Sequence, residues 1–323
     1  DVRIITVVVL LRFPLMLAPE GQVTYHQFHA FDLTPGAAAL ARLTHRDLRQ
    51  AGKLNVRVEI LPMTIAYSYG RDAREVLTET VQRTIDRIGG PAEFRLSVAK
   101  EPDAEFLLDL TDGVVTQIER EFPFRHHGPA PTANLSLQQR IDRVCEMALR
   151  AGERTAGLAG RGSAFERVIV LRHWLMNSQY RQEVELDGLS TLSRSLADRR
   201  AELARSARSY ERFADIMEYI RTDYLSPPRG GSIHRRIEYA LNLCDLVNRA
   251  SGGDINTRFS PGKRQATILI GDSLDASALL DEAATTREGV ELINAGIRTS
   301  FASLVEEMER SYFAPDKNPH SRV

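Results

Sequence analysis

A glutamate and a glycine stand where an apolar run of the sequence ends. The run covers residues 4–18, and Pro19-Glu20-Gly21 closes it. A Thr-Pro-Gly turn at residues 34–36 then opens a predicted helix, and a second apolar run follows at residues 56–67. This order of strand, charged turn, helix and strand predicts a βαβ unit with Glu20 at the carboxyl end of its first strand. Because open α/β sheets bind ligands at that edge, Glu20 is a candidate binding residue.

Three sequence blocks, in this order, carry a family resemblance. They are Ala18-Pro19-Glu20-Gly21, Thr34-Pro35-Gly36-Ala37-Ala38 and Ile60-Leu61-Pro62-Met63. They resemble the later motif blocks of the glycerolipid acyltransferase (PlsC-like) family, which includes 1-acyl-glycerol-phosphate acyltransferases. Ala18 replaces the phenylalanine of the first block, and Thr34 replaces the lysine of the second. The resemblance covers about residues 15–70.

The resemblance implies an α/β fold class, with a partial acyltransferase-type sheet domain followed by a mostly α-helical domain. It also implies an enzyme that transfers a fatty acyl group from acyl-CoA or acyl-carrier protein to a hydroxyl of a lipid or glycerol-type acceptor. Such a transferase acts in phospholipid biosynthesis or remodelling and uses no cofactor besides its thioester co-substrate. The family places it in the cytoplasm, peripheral to the inner face of the membrane. By the same resemblance, Glu20, Gly21 and Gln22 bind the acceptor, while Gly36 and Pro62 shape the cleft.

The general base of that chemistry is missing from this sequence. In the family it is the histidine of an H-x-x-x-x-D block, and none of the eight histidines here has an aspartate five residues later. We therefore assign no catalytic residue: either residues upstream of Asp1 carry the block, or the protein is not catalytic. The family commonly continues the Pro-Glu-Gly triplet with Thr-Arg-Ser, whereas Gln22-Val23-Thr24 follows here. No cation stands where an acceptor phosphate would bind, so the acceptor and the acyl-chain length stay open.

A second hypothesis comes from a different functional class. It makes the chain a non-catalytic helical interaction or scaffold protein with a degenerate acyltransferase-like domain. Its working surface would be the long helix predicted from residue 189. That helix has an arginine-rich face interleaved with acids, including Glu211 and Asp215, which predicts a solvated helix face with i,i+4 ion pairs rather than an anion site. The two hypotheses divide on whether the H-x-x-x-x-D block precedes this sequence.

Composition narrows the remaining classes. A net charge of −1 gives no overall electrostatic attraction to nucleic acid. The two cysteines, Cys145 and Cys244, stand far apart, which favours buried reduced thiols and a reducing compartment. No cysteine or histidine spacing is typical of a metal site. His26 and His29 follow the Glu20 turn, and pocket lining or plain surface is favoured there over a metal site.

A proline-rich stretch at residues 122–132 predicts a linker. It separates a predicted α/β domain over residues 1–124 from a helical domain over residues 133–313, and residues 314–323 are predicted to be a disordered tail. Strands are predicted at residues 1–17, 56–67 and 265–270. Trp174 is predicted to lie in the core of the helical domain. Helices are predicted at residues 36–50, 74–88, 103–121, 136–152, 164–178, 189–225, 233–251, 273–280 and 287–312.

Overall fold

The computed structural model describes residues 15–18, 25–29, 33–69, 72–89, 101–121, 134–179, 188–226 and 232–313. The chain divides into two compact units. One combines Asp1–Ser68 with Arg264–Val323, and the other is Tyr69–Lys263. The predicted linker at residues 122–132, the predicted tail at residues 314–323 and nearly all of the predicted first strand lie outside the described residues.

The two-segment unit contains helices and short strands from both ends of the chain. From the first segment come α1 (Gly36–Gln50), β1 (Glu59–Ile60) and β2 (Met63–Ser68). From the second come β3 (Gln265–Ile270), β4 (Leu274–Asp275), α8 (Ala276–Glu282) and α9 (Thr286–Phe313). The predicted strand at residues 56–67 is therefore two strands, because Pro62 interrupts it and has no N–H to donate to a ladder.

Strand pairing in this unit is antiparallel. β1 pairs with β4, and β2 pairs with β3 along its whole length, from Met63 opposite Ile270 to Ser68 opposite Gln265. Both pairs are two-stranded in the described part of the chain. This corrects the sequence analysis, which placed residues 265–270 in the other domain. The predicted βαβ unit stays a prediction, because its first strand lies almost entirely outside the described residues. A mixed fold of helices with a small sheet region is confirmed.

Helix α1 and one face of the β2–β3 ribbon are packed in apolar clusters, whereas the other face of the ribbon is exposed. Ala38 and Ala41 of α1 pack with Ala276, Ile293 and Ile297 in one apolar cluster. One face of the ribbon is covered, since Ala66 packs with Phe28 and Met308 and Leu269 lies against them. The opposite face, with Ile65 and Ile268, is exposed.

The unit Tyr69–Lys263 is helical. The main helices are α2 (Ala73–Ile88), α3 (Ala104–Glu121), α4 (Leu137–Ala156), α5 (Ala164–Gln179), α6 (Thr191–Met217) and α7 (Ile233–Ala250). Helices α2 and α3 were predicted to belong with the sheet domain. They belong to this unit because their apolar stripes pack on α7. Residues 264–313 were predicted to belong to the helical domain, but they belong to the two-segment unit because β3 pairs with β2.

The helix ends follow local sequence signals. Ser136 caps α4 in a capping box with Gln139, and Ser190 caps α6 by accepting from the backbone N–H of Ser193. Gly89 and Gly157 end α2 and α4 with φ of 60° and 68°, a left-handed conformation that glycine adopts without steric cost. The predicted long helix over residues 189–225 is shorter, because α6 ends at Met217 and a 3₁₀ turn, Thr222–Leu225, follows it.

Helix α7 lies at the centre of its unit. It is buried on every side from Ile237 to Arg249, including its polar residues. A helix buried all round needs partners for each polar group that it carries. Among the described residues, no helix has both the length and the apolar character that a membrane crossing requires.

Candidate functional site

The acceptor residues implied by the resemblance, Glu20, Gly21 and Gln22, lie outside the described residues. Of the predicted site, the structure therefore describes Gly36 and Pro62. Gly36 is the first residue of α1, as the turn predicted. No close packing requires a glycine there, because among the described residues a Cβ on Gly36 would meet only Thr34 Oγ1, at 3.8 Å.

Pro62 is buried between β1 and β2. Its carbonyl oxygen accepts a hydrogen bond from the backbone N–H of Gly271, at 3.0 Å. This bond continues the β2–β3 ladder beyond Met63, so Pro62 shapes the end of the ribbon. A role in shaping a substrate cleft stays a prediction.

The histidines that follow Glu20 in the sequence, His26 and His29, flank Gln27, which lies at the β2 edge of the ribbon. His26 is buried, and its ring stands perpendicular to that of His29 with the centroids 6.2 Å apart. Between them, the side-chain amide of Gln27 bonds to the backbone of Tyr67 in both directions. In the described part of the chain, no group of three or more His, Cys, Asp or Glu side chains is arranged to hold a metal ion.

A buried ionic network joins three helices of the other unit. Arg172 of α5 pairs with Glu211 and Asp215 of α6, at 2.7 and 3.0 Å. Arg249 of α7 pairs with Asp215 at 2.7 Å and with Asp245 at 3.0 Å. Arg258, which follows a 3₁₀ turn after α7, pairs with Asp245 at 3.0 Å and also donates to Asn242 Oδ1 at 2.9 Å.

The network is balanced in charge, with three arginines and three carboxylates. Side-chain exposure is 3% for Arg249 and 0% for Asp245, so each of these two groups contacts the other instead of water. Burial raises the pKa of Glu211, against the opposing effect of Arg172. The charges of Glu211 and Asp215 raise the pKa of Arg172, although burial of its guanidinium opposes them. These contacts fix the positions of α5, α6 and α7 relative to one another.

The sequence analysis assigned Glu211 and Asp215 to a solvated face, and this is wrong. Both are buried, and their partners come from other helices. The signal that could have found them is two like charges at i,i+4, a destabilising spacing on an exposed helix unless each acid has a cation of its own.

Trp174, predicted as core, lies against a cluster of Leu171, Leu175, Ala204 and Ala207. Cys145 and Cys244 are buried free thiols, and burial raises the pKa of both.

The first half of α6 presents an apolar stripe that the sequence analysis missed. Leu192, Leu196 and Leu203 are exposed by 68%, 59% and 43%. Their spacings of four and seven residues place them within about 40° on one side of a helix. This spacing is visible in the sequence, but the arginines between the leucines obscured it. We call these three residues the α6 leucine stripe.

A shallow surface groove runs beside the α6 leucine stripe. It is lined by Ser195, Asp198, Arg199, Glu202, Leu203 and Ser206. Within the described residues, the side chains of Asp198, Arg199 and Glu202 have no hydrogen bond or ion pair. The groove therefore exposes two acids, one base and an apolar edge.

Comparison with known proteins assigns no relative to this chain. No protein-family model matches it, no curated protein matches it, and no solved structure matches it.

Proposed function

We propose that the helical unit Tyr69–Lys263 is an interaction module that binds an amphipathic helix of another protein along α6. The observation that carries this proposal is the α6 leucine stripe. Large exposed apolar side chains on one side of a helix are typical of a surface that a second helix covers, and here Arg199 interrupts the row between Leu196 and Leu203. The spacing of four and seven residues matches the seam of a two-helix coiled coil.

The anchoring of α6 supports the same function. Ala204 and Ala207 are fully buried on the side that faces α5, and the ionic network holds Glu211 and Asp215 further along. The helix is thus fixed before a partner arrives. A binding surface that is ordered in advance loses less conformational entropy on association.

The groove defines the chemistry of the partner helix. Among the residues that line the groove, Asp198 and Glu202 carry two negative charges and Arg199 carries one positive charge. A helix with a leucine seam and flanking lysines or arginines would complement the two acids. We therefore expect preference for a basic amphipathic helix over an acidic one.

Titration of the full chain with a synthetic helical peptide tests this function. The peptide carries leucines at a and d positions and lysines at e and g positions, and fluorescence anisotropy measures its binding. Leu196→Asp should weaken binding at least about tenfold, because it places a charge in the apolar seam. Val170→Asp is the matched control, since Val170 of α5 is 51% exposed.

Charge reversal tests the polarity of the groove. Glu202→Lys should weaken binding of the lysine peptide and strengthen binding of a peptide that carries glutamates at the same positions. The proposal fails if the lysine peptide does not bind at about 200 µM, a weak affinity for a helix in a groove. It also fails if Leu196→Asp and Val170→Asp affect binding equally.

An acyltransferase is the second candidate. What supports it is the order of the three sequence blocks, of which the second opens α1 at Gly36. Its test is thioester-dependent acylation by a form of the protein that contains an H-x-x-x-x-D block. Glu20→Gln should lower the rate at least about tenfold, or about 1.4 kcal/mol in the transition state. The melting temperature should change by only about a degree or two. Residues 1–323 alone should be inactive.

A further inference from the structure

Hydrogen bonds show which way the backbone groups of the β2–β3 ribbon point. Gly271 N–H donates across the ribbon to Pro62, whereas Tyr67 N–H turns outward and donates to Gln27 Oε1 at 2.6 Å. Backbone groups alternate in direction along a strand, and Tyr67 stands opposite Ala266. The residues of β3 whose backbone groups point away from β2 are therefore Ala266, Ile268 and Ile270.

Within the part of the chain that the structure describes, these outward groups make β3 an open edge. Among the described residues, no hydrogen bond is made by the backbone of Ala266, Ile268 or Ile270. The side chains of Ile268 and Ile270 are 54% and 62% exposed. Over Gln265–Ile270 the strand has no charged residue and no proline. Natural edge strands usually carry such residues to block pairing with another chain, so this edge is suited to pairing.

We propose that β3 pairs with β3 of a second copy of this chain, antiparallel, about a two-fold axis at Ile268. In this register Ile268 stands opposite Ile268 of the partner subunit, and Ala266 stands opposite Ile270 of the partner subunit. Each of these residues directs its N–H and C=O toward the other strand, as a hydrogen-bonded antiparallel pair requires. A large side chain meets a small one in the outer pairs.

Charges at the two ends of β3 select this register. Arg264 lies four residues before Ile268, and Asp272 lies four residues after it. The two-fold therefore brings Arg264 opposite Asp272 of the partner subunit, twice in the dimer. Arg264 already lies on the exposed face, with its guanidinium carbon 4.4 Å from the centroid of the Tyr67 ring. Asp272 is exposed and forms no ion pair within the described residues.

Association would extend the ribbon to four strands in the order β2, β3, β3, β2. A single pair of six-residue strands buries less surface than a standard interface of about 1,600 Å². We therefore expect a reversible dimer with micromolar affinity. The two Arg264–Asp272 pairs across the axis favour this register. If one strand shifted along the other, neither pair could form.

Sedimentation velocity of the full chain, from about 5 to 500 µM, measures the dimer. Ile268→Lys should abolish it, because two ammonium groups would face each other at the axis. Ile65→Lys is the matched control, since Ile65 lies on the same exposed face but on β2, and it should remain dimeric. Hydrogen exchange should show the amides of Ala266, Ile268 and Ile270 protected only in the dimer.

A charge swap tests the register. Arg264→Asp and Asp272→Arg should each weaken association about tenfold or more, and the double variant should restore it. A protein that stays monomeric at every concentration would overturn the proposal. This holds even if the three amides were protected from exchange, because a segment of the same chain would then cover β3. A dimer that survives Ile268→Lys, or a double variant that does not recover, would overturn it too.

Discussion

Arg249→Met is predicted to destabilise the helical unit strongly. Arg249 donates to Asp215, to Asp245 and to the backbone oxygen of Arg212 at 2.8 Å. Methionine fills much of the same space but leaves both carboxylates short of one cation. Removing one partner of a buried ion pair costs about 3–5 kcal/mol. Asp215 keeps Arg172 and Asp245 keeps Arg258, so we expect a value near the lower end, about 3 kcal/mol.

The assay is urea unfolding followed by the fluorescence of Trp174, the one tryptophan of the chain, which lies in the helical unit. A loss of about 3 kcal/mol corresponds to a fall in melting temperature of roughly 6–12 °C for a unit of this size. Arg150→Met is the control, because the Arg150–Glu146 pair is solvent-exposed, and it should cost less than about 0.5 kcal/mol. If Arg249→Met cost less than about 1 kcal/mol, or no more than the control, the network would not hold the helices together as argued.

Two further predictions concern packing and pH. Gly152→Ala should destabilise α4 although alanine is the better helix former, because the added Cβ would lie 2.7 Å from Leu171 Cδ2; Gly36→Ala, with open space, should be neutral or stabilising by thermal melting. Burial raises the pKa of Glu218 in the folded protein. The contribution of Glu218 to stability is therefore complete below its unfolded pKa of about 4.3, and it is lost as the pH rises through the raised folded pKa. Glu218→Gln should therefore gain stability relative to the wild type between pH 4 and pH 8, and an unchanged difference in urea midpoint across that range would contradict it.

The helices could be predicted from sequence because their signals are local. Predicted and observed bounds agree within one or two residues for α1, α2, α3, α5 and α7. Caps such as Ser136 act within one turn of the helix that they begin, and an apolar stripe of period 3.6 needs no knowledge of the partner. The 3₁₀ turn Thr222–Leu225 was missed because the sequence from Thr191 to Leu225 has no glycine or proline to mark the end of α6 at Met217.

Strand pairing could not be predicted from the same signals. The alternation over residues 56–67 is compatible with a parallel or an antiparallel neighbour, because both have a side-chain period of two. The partner of β2 lies about two hundred residues later in the chain, at Gln265–Ile270. That pairing also explains why the predicted domain boundary differs from the observed units. Contacts between distant segments define a unit, whereas composition along the chain marks only where a linker could lie.

The acids of α6 illustrate how burial changes the meaning of a charge pattern. Read along one helix, Glu211 and Asp215 belong to a mixed-charge face that water could solvate. In the folded unit they meet Arg172 and Arg249, which come from helices on either side in sequence. The second half of α6 is therefore committed to holding the unit together. Its first half carries the α6 leucine stripe and groove charges that make no ion pair with any other described residue. The partner helix that we propose would therefore bind there without disturbing the ionic network.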